Sequence, residues 1–159
     1  MKKIKNEKNR IFLITWTTYN TRIPQVINYH PQKGKSLWLD DHSEILITKL
    51  IKEILQENNL KCFSYNICKN HLHIVLSCRE SQLPFIIRKI KRNSLQKYKF
   101  FLGISSQTKI NLWDKKYRIF SIRNREELEN SVNYVKNSRK RCLLPNNVKL
   151  NFIIENMVY

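Results

Sequence analysis

Cys68-Lys69-Asn70-His71-Leu72-His73-Ile74-Val75-Leu76-Ser77 is the stretch around which the rest of the chain is read. It predicts a β-strand with histidines at alternate positions. Side chains alternate across a strand, so His71 and His73 share one face. Leu72, Ile74 and Leu76 share the other, which is apolar enough to be core. Two imidazoles side by side on a sheet face are half of a metal site. The alternative is a pair of unremarkable histidines on a solvated face.

The flanking sequence supplies the partners of this strand. Lys61 to Cys68 (KCFSYNIC) reads as another strand, and the short gap between the two predicts an antiparallel hairpin. Ile11 to Tyr19 (IFLITWTTY) is rich in β-branched and aromatic residues and reads as the first strand. Thr21 to Leu39 has no clean period and contains Pro24, Pro31 and Gly34; it is expected to be a long connection with reach towards a ligand. Asp41-His42-Ser43-Glu44 predicts a helix start capped by Asp41, followed at helical spacing by Ile47, Leu50, Ile51, Ile54 and Leu55 as far as Asn58-Asn59. Leu83-Pro84 opens a second helix with Ile87, Ile90, Leu95, Tyr98, Phe101 and Leu102 on its apolar side and Gly103 as its stop. Lys116 to Arg123 reads as a fourth strand and Arg125 to Arg139 as a last helix. The order β-α-β-β-α-β-α predicts an α+β, ferredoxin-like (RRM-like) fold: an antiparallel sheet with two helices on one face, the other face left for a ligand and for the last helix. One domain is expected over 1–159, with a basic arm at 1–10 and a tail at 146–159 that has no clear reading.

Composition narrows the function. Apolar residues make up 42% of 159, enough for a core without disulfides. Two glycines and four prolines argue against a Gly-rich phosphate loop, a dinucleotide-binding turn or a long flexible linker. Thirty Lys and Arg stand against twelve Asp and Glu, a net charge of +18. Such an excess in a small domain points to a polyanionic partner, nucleic acid first and a membrane surface second. No apolar run approaches the roughly 20 residues needed to span a bilayer. Met1 to Arg10 is basic but leads into strand-like residues rather than a signal-peptide core, so a cytoplasmic protein is expected. Cys62, Cys68, Cys78 and Cys142 form no Cys-x-x-Cys pair and read as reduced thiols, a zinc site being the minor alternative.

Candidate DNA contacts follow from the charge. Arg88, Lys89, Lys91, Arg92, Lys97 and Lys99 crowd the second helix, with Glu80 the nearby acid. They read as a phosphate-gripping face, or else a solvated one. Lys115 and Lys116 adjoin Trp113. Trp38, Trp113 and Tyr117 could stack on unpaired bases or be partly core. In the last helix Leu128, Val132 and Val135 form the apolar stripe. At about 100° per residue Tyr134 lies off that stripe, beside Glu127, Ser131 and Ser138. It is either a surface tyrosine or one presented to the histidine face.

Together these pieces resemble the REP-associated tyrosine transposases, relatives of the single-tyrosine HUH transposases. The resemblance rests on Asn70-His71-Leu72-His73-Ile74-Val75-Leu76, on Leu112-Trp113-Asp114-Lys115-Lys116-Tyr117 and on Val132-Asn133-Tyr134-Val135-Lys136-Asn137. Thr15-Trp16-Thr17-Thr18-Tyr19-Asn20 and Leu37-Trp38-Leu39-Asp40-Asp41 add to it, and it runs over roughly residues 11 to 145. It implies that His71 and His73 hold Mg²⁺ or Mn²⁺, with Mn²⁺ better suited to imidazole. It implies Tyr134 as the nucleophile that cleaves and rejoins single-stranded, hairpin-forming DNA through a 5′-phosphotyrosine. Relatives can offer the metal a polar side chain four residues after the tyrosine, which here is Ser138, with Asn137 one residue earlier. The chain departs from the family at Cys68-Lys69, where Met-Pro is common, and after Tyr134, where Ile-x-x-Asn-Pro is common. A monomer or a homodimer exchanging the tyrosine helix is compatible with this reading. The rival readings are a binding-only module on the same scaffold, a transposase that no longer cuts, and a replication initiator or relaxase, usually larger.

Overall fold

The computed structural model describes residues 6–21 and 37–158. Most of the connection expected between Thr21 and Leu39, and half of the basic arm, lie outside the described residues.

β1 (Arg10–Thr17) runs antiparallel between β3 (His71–Cys78) and β4 (Arg118–Ile122). β2 (Lys61–Cys68) pairs antiparallel with β3, so the strand order is β2-β3-β1-β4. This is the expected ferredoxin-like sheet. Its alternation is clean: Phe12, Ile14, Trp16, Tyr65, Ile67, Leu72, Ile74 and Leu76 are all buried in one core. That core is closed by α1 (Asp41–Glu57) and α2 (Leu83–Phe101), which contribute Ile47, Ile51, Ile54, Ile86, Ile87 and Ile90. A smaller cluster of Val75, Ile122 and Val135, with Ile11, Leu13, Phe63 and Leu128, lies on the other face under α3 (Arg125–Lys136).

Several expectations are corrected in detail. The cap of α1 is Asp40, not Asp41: its carboxylate accepts from Ser43 N–H at 2.7 Å. Glu44 closes no capping box, because its carboxylate turns into the core. In α2, Phe101 and Leu102 are nearly half exposed, as the apolar stripe has turned away from the core before the helix ends. Lys99, expected on the surface, is buried, and its ammonium donates to the Ser106 carbonyl at 3.3 Å. Gly103 ends the helix at φ +67°, as its sequence position predicts.

The last helix is shorter than the expected Arg125–Arg139. It stops at Lys136, turns at Asn137, and a separate single turn, α4 (Ser138–Arg141), follows. The tail forms α5 (Val148–Glu155), capped by the Asn147 side chain, and plants Leu150 in the main core beside α1.

Candidate active site

Hairpin register places the histidines. Across β2 and β3, Cys68 pairs with His71 and Asn66 with His73. Across β1 and β3, Thr17 pairs with His71 and Thr15 with His73. Directly paired residues share a face, so these six side chains form one polar patch on the face opposite the main core. His73 Nδ1 lies 2.7 Å from Thr15 Oγ1, and His71 Nδ1 lies 2.8 Å from Asn70 Oδ1. With both Nδ1 atoms engaged, Nε2 of each ring is the atom left for a ligand. The ring centroids are 5.0 Å apart. Burial, and secondarily Arg141, holds His71 below the usual histidine range. Burial, then His71 and Arg141, pushes His73 down to about 3. Both rings are neutral at pH 7, the form in which imidazole binds a metal.

The turn entering His71 is unusual. Lys69 has φ +44°, a left-handed conformation that costs a non-glycine residue on the order of 1 kcal/mol. It is held from three sides. Its N–H donates to Glu44 at 2.7 Å, its carbonyl accepts from Leu39 N–H at 2.8 Å, and its ammonium reaches Asp41 and Glu44. Glu44 is fully buried and also accepts from the Arg139 guanidinium at 3.0 and 3.1 Å. Arg139 donates further to the carbonyl of Ile67 at 2.9 Å. This charge cluster joins the start of α1, the β2–β3 turn and α4. A proline at position 69, common in the resembled family, could neither take this φ nor donate to Glu44.

Tyr134 reaches the histidines because β2 grips the end of its helix. Asn66 Nδ2 donates to the carbonyls of Val135 and Lys136 at 3.2 and 3.4 Å, and Ser64 Oγ donates to that of Val132 at 3.3 Å. These bonds satisfy carbonyls at the helix C-terminus and fix its angle across the sheet. The Tyr134 ring, half exposed, sits 5.3 Å from the His73 ring at 74°. The Arg141 guanidinium lies 3.7 Å from the Tyr134 ring centroid and donates to the Tyr134 carbonyl.

The two other candidate ligands are engaged elsewhere. Ser138 is fully buried and its hydroxyl donates to the Val135 carbonyl at 2.7 Å. Asn137 is exposed and its amide donates to the Asn133 carbonyl at 2.8 Å. Thiols gather at His71 instead. Cys68 Sγ, Cys142 Sγ and a His71 ring nitrogen all lie within 4.8 Å of one another.

The predicted DNA contacts divide. Arg88, Arg92 and Lys115 are exposed and line a cleft of about 440 Å³ with Lys91, Trp113 and Tyr117. Lys116 and Trp38 are also exposed. Trp113 is a core residue rather than a stacking platform: it is buried edge-on against Trp16, and its indole N–H donates to Ser94 at 2.7 Å. Lys91 is a loop clamp, its ammonium donating to the carbonyls of Asp114, Lys115 and Lys116. Lys89 faces Glu57 at 3.5 Å, and Lys97 lines a separate hollow with Leu50 and Phe100. The α2 residues and the histidines thus lie on opposite sides of the sheet. Asp114 links the two sides: its carboxylate accepts from Thr17 at 2.6 Å and its carbonyl from Lys91 at 2.7 Å.

A family model described as "Transposase IS200 like" matches residues 17–138, a span that includes both histidines and Tyr134. The chain belongs to the IS200-like transposase family. No match is found among curated protein sequences. This IS200-like transposase is similar in fold to a REP-associated tyrosine transposase solved bound to a REP hairpin. The TM-score is 0.59 at 13% identity, over 85% of this chain and 69% of the other. It is also similar to a candidate transposase of Deinococcus radiodurans R1. There the TM-score is 0.54 at 16% identity, over 86% of this chain and 97% of the other. Sequence reasoning missed Thr15, Asn66 and Arg141 among the residues gathered at this candidate site. The first two stand at in-register alternate positions of the flanking strands, a signal that pairing the strands would have exposed. Arg141 lies past the expected helix end at Arg139, in the separate turn α4 that follows Asn137.

Proposed function

We propose that this IS200-like transposase is a metal-dependent single-stranded DNA endonuclease and strand transferase, acting on a hairpin-forming DNA end with Tyr134 as nucleophile. The observation that carries the reading is the Tyr134 ring standing 5.3 Å from His73, itself paired with His71, within one chain. A single protomer thus has both halves of the site, which suits action as a monomer. The DNA carried by the REP-associated relative supports the substrate class, and a DNA-processing role agrees with the expected cytoplasmic location.

The site fits a divalent ion, since both imidazoles are neutral and oriented through Nδ1, with Nε2 of each ring turned to the remaining ligands. Bound there, Mn²⁺ or Mg²⁺ would polarise a phosphoryl oxygen and offset developing charge, with Mn²⁺ the better match to nitrogen ligands. Tyr134 Oη attacks phosphorus: the P–Oη bond forms, the P–O3′ bond breaks, the phenol proton passes to solvent, and the 3′ oxygen takes a proton from solvent and leaves as a hydroxyl. A phenol with a reference pKa of about 10 leaves more readily than an alkoxide, so an incoming 3′-OH can reverse the link. Arg141, beside both the phenol and the histidines, opposes the negative charge of the phosphate. DNA would run from this face past the Asp114 corner to Arg88, Arg92 and Lys115, with Lys116 and Trp38 exposed for further contacts.

The test is a labelled single-stranded hairpin incubated with the protein and Mn²⁺, then a denaturing gel. Wild type gives a protein–DNA adduct, and Tyr134→Phe gives none while still shifting the DNA on a native gel. An adduct of undiminished yield in Tyr134→Phe overturns the assignment of the nucleophile. DNA binding with no adduct from wild type marks a chain that holds hairpins without cutting them.

A further inference from the structure

We propose that Cys68, His71 and Cys142 form a second metal site, for a thiophilic divalent ion of the zinc class, which competes with the His71–His73 pair for the His71 imidazole. Three separate parts of the fold deliver the ligands. Cys68 ends β2 and is the in-register partner of His71, so the two side chains leave the sheet side by side. Cys142 is the residue that caps the end of α4. All three donor atoms lie within 4.8 Å of one another, and Cys142 Sγ is 4.0 Å from His71 Nε2. In a tetrahedral zinc site, with bonds of about 2.3 Å to sulfur and 2.0 Å to nitrogen, donor atoms stand roughly 3.5–3.8 Å apart. The separations therefore have to shorten by no more than about 1.3 Å to reach that spacing. Cys142 is exposed and caps a single helical turn, so the adjustment can be made by its side chain.

The donor set selects the ion. Thiolate and imidazole suit zinc and other soft or borderline ions, and they do not suit Mg²⁺. Three protein ligands leave a fourth position open to water or to a phosphate oxygen. Exclusivity follows from atom counting. His71 Nδ1 faces Asn70, which leaves one lone pair, on Nε2, and that lone pair cannot serve two ions at once. Zinc on the thiol side withdraws His71 from His73. The metal site stands on its own geometry; its competitive effect rests on the proposed nuclease reading.

The two are separated by measuring binding first. Reduced, metal-free, full-length protein is titrated with Co²⁺, whose thiolate bonds absorb in the near ultraviolet. One equivalent is expected to bind with a thiolate band that Zn²⁺ then abolishes. Cys142→Ser should cut that band by about half, as one of two thiolates is lost. His71→Gln should weaken Co²⁺ binding at least tenfold. Cys68 is buried, so Cys68→Ala is read only alongside circular dichroism; Cys142→Ser, at an exposed position, carries the test. A wild-type protein with no thiolate band, or a band unchanged in Cys142→Ser, overturns the site. So does a Cys68–Cys142 disulfide that persists in reductant and leaves no thiol to bind. For the competition, zinc-loaded wild type should give at least tenfold less Mn²⁺-dependent DNA adduct than zinc-free protein. Undiminished adduct at saturating zinc overturns the competition. A protein that binds Co²⁺ through thiolates but forms no adduct with any metal defeats the nuclease reading and leaves the metal site standing.

Discussion

Among the described residues no carboxylate is hydrogen-bonded to the buried His73 or the half-buried His71, and this makes the metal-free protein sensitive to acid. Both pKa values are lowered in the folded state, His73 to about 3, against about 6.5 in an unfolded chain. Below pH 6.5 the unfolded chain takes up protons that the folded chain refuses, so stability falls as pH falls. The slope per histidine approaches about 1.4 kcal/mol per pH unit. It should persist for His73 over the whole range down to about pH 3. In chelator, urea unfolding at pH 7.0 and 5.5 should show a clear loss for wild type and a smaller one for His73→Phe. Equal losses in the two proteins would show that the imidazole titrates freely. The residues at the centre of this behaviour were legible in the sequence, because a period of two puts His71 and His73 on one face and a period near 3.6 lifts Tyr134 off its apolar stripe. Their supporting residues were not. Thr15 and Asn66 matter only through strand register, and Ser138, a candidate ligand through the family resemblance, turns inward because the helix breaks one residue earlier.

Among the elements, the position of α4 depends on one buried carboxylate. Glu44 accepts from Lys69 N–H, the Lys69 ammonium and Arg139, and all three residues are buried. Removing one partner of a buried ion pair leaves uncompensated charge, typically at a cost of about 3–5 kcal/mol. Glu44→Ala should therefore lower the urea midpoint sharply. Glu126→Gln, at an exposed position in the first turn of α3, should stay within about 0.5 kcal/mol of wild type. If Glu44→Ala is as mild as Glu126→Gln, the cluster does not hold the elements together. The start of α1 was misread for the same reason. Asp41 followed by Glu44 has the form of a capping box, and only the fold shows that Glu44 faces inward while Asp40 caps. The α5 helix was missed because Val148–Glu155 is short and apolar on several sides, so it carries no clear period.

Over the whole molecule, a net charge of +18 should dominate affinity for DNA. Log affinity for single-stranded DNA should fall linearly with log salt, losing roughly 0.7 of slope for each phosphate contact removed. Arg88→Ala with Arg92→Ala should lower the slope by roughly 1.4 across unrelated sequences, read by fluorescence anisotropy at several salt concentrations. An unchanged slope would place the DNA path elsewhere. The sheet was legible because each element carried its own period and the first six follow the order of a ferredoxin-like sandwich. The relation between α2 and the histidines was not, since it needs both faces of the sheet at once, and it assigns Lys91 and Trp113 to structure. The ion pair between Glu44 and Arg139 joins residues 95 positions apart, and this bears on how the chain behaves during synthesis. A ribosome delivers the histidine-bearing hairpin first, and Tyr134 with its arginine anchor some sixty residues later. An interrupted chain that lacks residues beyond 124 carries the histidine pair without Tyr134, the nucleophile proposed above.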